Sequence, residues 1–252
     1  MKSLLLSLSL FLFAGLAPAQ SITNLDDMTA EEAAVFGAAV RNYLLSNPEV
    51  IIEAITVFKQ REQQESVAND VRLVQEFAED LFYDGFSYVA GNPDGSILMV
   101  EFLDYRCAVC KRAHPEVQAL LDANPDIRLV VKEYPILGAE STLASRAAVS
   151  VLVNDGAEVY GRFSDALMRF DGPINEETLT QLATESGADA AQMMEMLNAA
   201  LVTQIVQSTR LLGQRMAING TPTFVLGGDM LRGYLPQPQM QILVDQLRAS
   251  LN

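Results

Sequence analysis

A strand pattern, SILMVEFLDY, is continuously apolar from Ile97 to Val100 and runs straight into a cysteine-bearing helical pattern, AVCKRAHPEVQALLDAN. An unbroken apolar strand is one covered on both faces. A second such run, IRLVVKEYPIL from 127 to 137, follows the helix. Strand, helix and strand in that order predict a right-handed parallel crossover, which commits the centre of the chain to an α/β fold. Pro115 falls inside the helix and predicts a kink about one turn in. Upstream, FSYVAG reads as a strand closed by the turn Asn92-Pro93-Asp94-Gly95. Downstream, NGTPTFVLGGDMLRGYLP reads as a hairpin turning at Gly227-Gly228, and Gln237 to Leu251 as a closing helix. Glu140 to about Ala217 is helical, broken at NDGA, at Asp171-Gly172-Pro173 and near Gly187. A β-α-β unit and a β-β-α unit are thus separated by a long helical stretch.

The N-terminal third is different. Lys2, the apolar run LLLSLSLFLFAGL and Ala17-Pro18-Ala19 have the pattern of a cleavable export signal over residues 1–19. The alternative, an uncleaved anchor, is disfavoured because a span needs about 20 apolar residues. Residues 20–84 then read as a helical segment. Thr29 with Glu32 forms a capping box, and Asn47-Pro48 starts a second helix. Ile51, Ile55 and Phe58 share one face, followed by the polar stretch KQREQQE. Val67, Val71, Val74, Ala78 and Leu81 are spaced 4-3-4-3, which suits either an oligomer seam or a helix lying on its own domain. A formal charge of −15 argues against nucleic acid as a partner, because phosphate neutralisation needs Lys and Arg.

The chain has two cysteines and one histidine, all between residues 107 and 114. Two cysteines three apart close too small a loop to act as a useful staple. Cys107 falls at the helix start, where unpaired N–H groups and a partial positive charge stabilise a thiolate. Cys110, one turn in, should be more shielded. The asymmetry gives Cys107 the attacking role and Cys110 the resolving role in thiol–disulfide exchange. Arg106, Lys111 and Arg112 oppose the helix dipole, yet they suit a thiolate and are candidates for stabilising it. Glu101, six residues before Cys107, either turns inward by strand alternation as a buried acid that relays a proton, or sits at a strand edge in water. Lys132 and Glu133 break the second strand in a similar way and are expected to form a satisfied pair. Pro222 opens a strand, which a cis peptide would explain, although only about 5–6% of X–Pro bonds are cis. His114 with Cys107 and Cys110 offers a weaker alternative, a Cu(I) site. Met193 and Met194 read as core.

EFLDYxCxxC together with NGTPTFVLGG resembles the DsbA-type thiol-disulfide oxidoreductases of the thioredoxin superfamily, over residues 85–252. RNYLLSNPEVIIEA is similar to the N-terminal segment of the ScsC-like and Com1-type branch. The resemblance implies an α/β thioredoxin fold with a helical insertion at about 139–217, preceded by an N-terminal α-helical segment. It makes Cys107 the nucleophile, Cys110 the resolving cysteine and Glu101 the buried acid. Pro222 becomes the cis-proline, and Thr221 the residue that meets bound substrate alongside Ala108 and Val109. No cofactor is implied beyond a Cys107–Cys110 redox disulfide. The implied partners are secreted cysteine-containing proteins, a membrane redox partner in the periplasm, and further copies of this chain assembled through residues 20–84. Ala108-Val109 replaces the Pro-His dipeptide of the prototype oxidase. Neither side chain supports a thiolate, so Arg106, Lys111 and Arg112 are left as the first candidates to set the redox poise.

Overall fold

The computed structural model describes residues 28–251, so the expected export signal lies outside the described residues. In chain order the elements are α1 (Ala30–Ser46), α2 (Glu49–Glu76), α3 (Ala78–Phe82), β1 (Tyr88–Gly91), β2 (Ile97–Leu103) and α4 (Ala108–Ala123). These are followed by β3 (Ile127–Glu133), α5 (Ala139–Asp155), α6 (Ala157–Arg169), α7 (Glu176–Glu185), α8 (Ala190–Met196) and α9 (Ala200–Arg215), and then by β4 (Thr223–Leu226), β5 (Asp229–Arg232) and α10 (Gln237–Ser250). The chain divides into two compact units, one up to Arg61 and one from Glu62 onward. The division falls inside the polar stretch KQREQQE, not at residue 84.

The first unit holds α1 and the start of α2. Thr29 caps α1 reciprocally with Glu32, its hydroxyl accepting from the Glu32 N–H while the Glu32 carboxylate accepts from the Thr29 N–H. α1 buries no residue. Phe36, Tyr43, Ile52 and Phe58 are all exposed.

In the second unit five strands form one sheet in the order β1-β3-β2-β4-β5. β2 and β3 are parallel, as the crossover through α4 requires, while β1, β4 and β5 pair antiparallel with their neighbours. Alternation along β2 divides the core in two. Ile97, Met99 and Leu103 pack with Val117 and Leu120 of α4 and with α5–α8. Val100 and Phe102 face the opposite layer, where Leu73, Val74, Phe77, Leu81 and Phe82 meet Leu212 and Met216. The second half of the 4-3-4-3 stripe is therefore a helix lying on its own domain. It is fixed there by a bidentate ion pair between Asp70 and Arg232 of β5. Burying a Leu or Phe side chain contributes about 1.5–3 kcal/mol, so five such residues outweigh that partly exposed pair.

The same alternation overturns the expected Lys132–Glu133 pair. Successive strand residues point to opposite faces, so the two side chains are separated by the sheet. Fully buried Lys132 donates to Asp84, the Asp80 carbonyl and Ser87. Glu133 faces α5 and α6 and accepts from the hydroxyls of Tyr105 and Tyr160. Met193 is fully buried in the core, as expected.

Candidate active site

Cys107 is the N-cap of α4. Its extended backbone ends the loop from β2, and its Sγ accepts from the Cys110 N–H at 3.4 Å. The loop is held by Asp104, which is wholly buried. One Asp104 oxygen accepts from the Arg106 N–H at 2.8 Å, and the other accepts from Ile136 and Leu137 N–H at 2.9 and 3.1 Å. This residue was not singled out from the sequence. The signal was available, because an Asp two residues before a turn commonly folds back on its own backbone.

β4 brings the second half of the site. The Thr221–Pro222 peptide is cis, and Sγ of Cys107 lies 3.1 Å from the Thr221 carbonyl, to which it donates when protonated. Residues 114 positions apart in the chain thus meet at one sulfur. Cys107 is 7% exposed and Cys110 is fully buried, both as free thiols. The Cys107 thiol is lowered to about 5, chiefly by a hydrogen bond from the Cys110 thiol, against the opposing effect of burial. The Thr221 side chain and the N–H groups of Cys110 and Val109 add to the lowering. Cys110 moves the other way: donating to Cys107 and being buried both push its thiol far up. The pair therefore holds one thiolate and one thiol near neutral pH, and the thiolate is the one nearer solvent. Only a thiolate attacks a disulfide sulfur at a useful rate.

Glu101 is 4% exposed and lies on the α4 face of β2, so the inward of its two orientations is the one realised. Burial raises its carboxyl to about 8, with a further contribution from the charge of Glu133. It lines a cleft of about 510 Å³ bounded by β1, β3, α4 and α6.

The three basic side chains do not reach the sulfur. Arg106 pairs with Glu140 at 2.9 Å and donates to the Gly172 carbonyl. Lys111 donates to the Phe170 carbonyl and to Asp171. Arg112 lies 4.4 Å over the Tyr234 ring. Their long stems carry each charge to a partner on the helical insertion or the C-terminal segment. The leading causes of the lowering of Cys107 are hydrogen bonds from Cys110, Thr221 and Val109 rather than these three charges. His114 is likewise turned away, 2.9 Å from Asp165. Among the described residues no cluster of three or more His, Cys, Asp or Glu side chains could hold a metal ion.

Residues 99–245 match the description of a DSBA-like thioredoxin domain. The chain belongs to that family. Residues 32–65 also match the N-terminal domain of the copper resistance protein ScsC. A thioredoxin-like oxidoreductase from Silicibacter pomeroyi DSS-3 is 40% identical, with 68% of this chain and 97% of that one superposed at a TM-score of 0.64. BcfH of Salmonella enterica Typhimurium is 26% identical and superposes at 0.74 over 85% of this chain and 95% of its own. A Na(+)/H(+) antiporter NhaA of Herminiimonas arsenicoxydans is 26% identical over 58% of this chain. The chain spans about a quarter of the length of that curated relative, 23%. In the DSBA-like frame, α5–α9 are a helical insertion between β3 and β4 of a thioredoxin fold.

Proposed function

We propose that the chain is an exported, periplasmic protein thiol-disulfide oxidoreductase. The observation that carries the reading is the acidic Cys107 thiol, which faces the Thr221 carbonyl with the Cys110 thiol behind it. In the oxidative direction a substrate thiolate attacks Sγ of Cys107 in the Cys107–Cys110 disulfide, and Cys110 leaves. A second substrate thiolate then attacks the mixed disulfide and releases Cys107 as thiolate. In the reductive direction the Cys107 thiolate attacks a substrate disulfide, and Cys110 resolves the adduct. Each cycle moves two electrons and two protons between the pair and its substrate. Glu101 takes or returns the Cys110 proton. Thr221 and Pro222 present backbone to an extended substrate segment, beside exposed Ala108. A membrane redox partner resets the pair.

The exposed apolar side chains of α1 and of the start of α2 support assembly of several copies through this segment. Several active sites on one particle suit isomerisation or reduction better than simple oxidation. Light scattering of the chain with and without residues 20–61 tests this, and a monomer in both cases would refute it. The chemistry is tested by refolding of a scrambled disulfide substrate, with Cys107→Ala as the inactive control. Tight stoichiometric Cu(I) binding without any exchange would favour a copper-holding role for the two sulfurs instead.

A further inference from the structure

Two carboxyl groups are buried on one face of the sheet behind Cys110. Glu101 of β2 pairs with Val131 of β3, and Leu103 pairs with Glu133. Glu101 and Glu133 therefore lie on adjacent strands, two residues out of step and on the same side. They are 4% and 5% exposed, and neighbouring buried carboxylates cannot both ionise cheaply. Their polar surroundings differ. Oε1 of Glu133 accepts from the Tyr105 and Tyr160 hydroxyls, each at 2.6 Å. Ser145 of α5 faces the same carboxyl, and the Tyr105 hydroxyl continues to Ser164 at 3.0 Å. The second oxygen, Oε2, has no hydrogen-bond partner. Glu101 receives no hydrogen bond from any described residue and instead faces the cleft.

We propose that Glu133, held by Tyr105 and Tyr160, is a second buried acid that takes up the one negative charge this face can carry and so keeps the proton on Glu101. Glu133 is then a positioning residue, acting through Glu101. The inference rests on the exchange reading above for its purpose. When a thiolate attacks Cys107 of the disulfide, the S–S bond breaks and its electron pair leaves on Cys110. Glu101 gives its proton to that sulfur and becomes a carboxylate. Two carboxylates then oppose each other, which drives Glu101 to regain a proton from water in the cleft. In the reverse direction Glu101 first releases its proton to water in the cleft, and the carboxylate then accepts the Cys110 proton as that sulfur attacks.

Charged and titratable groups face the pair from β1, α4, α6 and the loop after β2. Around Glu133 they are Tyr105 and Asp104 of the loop after β2, and Tyr160 of α6. Around Glu101 they are Cys110 and Glu133, with Tyr88, His114, Asp122, Asp165 and Arg169 lining the cleft. Burial lifts both acids, Glu133 to about 7 and Glu101 to about 8. The hydroxyl donors account for the order, because they favour the charged form of Glu133 alone.

The test is a carboxyl titration of the full reduced chain by NMR, with the glutamate side chains labelled with ¹³C. Glu101→Gln and Glu133→Gln assign the two resonances. In wild type Glu133 ionises before Glu101. In Glu133→Gln the Glu101 midpoint falls by about one pH unit, and Glu101→Gln lowers the Glu133 midpoint reciprocally. A Glu101 midpoint unmoved in Glu133→Gln, or a Glu101 that ionises first in wild type, overturns the proposal. If Glu133→Gln does not fold, Tyr160→Phe serves: it raises the Glu133 midpoint and narrows the gap, and an unchanged gap overturns the proposal. The titration needs no substrate, so a chain without exchange activity would refute the function while still reporting the coupling.

Discussion

Replacing Cys110 by Ala should make Cys107 a weaker acid, and the structure sets the size of the change. The Cys107 thiol is lowered to about 5, with the Cys110 hydrogen bond as the first cause. A hydrogen bond to a charged group is worth about 1.5–3 kcal/mol. One pKa unit corresponds to about 1.36 kcal/mol, so its loss raises the midpoint by about 1–2 pH units. At pH 6 the wild-type sulfur is then roughly nine-tenths thiolate, and the Cys110→Ala sulfur between about one half and one tenth. The rate of alkylation by iodoacetamide against pH reads this directly, because Cys110 is buried and held as a thiol. Cys110→Ser keeps a donor and should fall between the two. Arg106→Ala, Lys111→Ala and Arg112→Ala should each leave the midpoint in place, since their charges are committed to Glu140, Asp171 and the Tyr234 ring. A Cys110→Ala midpoint that stays near the wild-type value would refute the reasoning. So would a basic-residue variant that moves it as far.

Three further outcomes are expected. Lys132→Met leaves Asp84 half-buried beside an apolar chain and should destabilise the fold by about 3–5 kcal/mol in urea unfolding, with Asp84→Asn in the same chain recovering part of the loss. Glu101 keeps a proton when folded that an unfolded chain releases above about 4.5, so its contribution to stability is present below 4.5 and lost as pH rises through 8. The urea midpoint of Glu101→Gln relative to wild type should accordingly rise between pH 4.5 and pH 8. Gly213→Ala would drive a methyl group into the Tyr134 ring, whose hydroxyl donates to the Ile218 carbonyl at 2.8 Å, and should cost about 1–3 kcal/mol by thermal unfolding.

The strands, the crossover and the inward turn of Glu101 were legible because they follow from a period of two and from apolar continuity, both local properties. That rule also separates Lys132 from Glu133; reading two adjacent charges as a pair set it aside. The destinations of Arg106, Lys111 and Arg112 were not legible. Their partners lie 34 to 122 residues away, and a flexible stem can reach any of several acids. The boundary within α2 was hidden for another reason. One continuous helical pattern runs from exposed Phe58 to buried Phe77, and only tertiary packing distinguishes its two ends. The Tyr105–Tyr160–Glu133 cluster draws on three separate elements, and no spacing in the sequence announces it.

The meeting of Cys107 with Thr221 has a consequence for the unfinished chain. Protein chains are made from the N-terminus, so the cysteines emerge well before the strand that faces them. Until β4 pairs with β2, the sheet ends at β2 and Cys107 lacks the Thr221 carbonyl that lies against its sulfur. The hydrogen bonds from Cys110 and from the Val109 N–H are local to α4 and need no later strand, whereas the Thr221 contribution waits for the C-terminal hairpin.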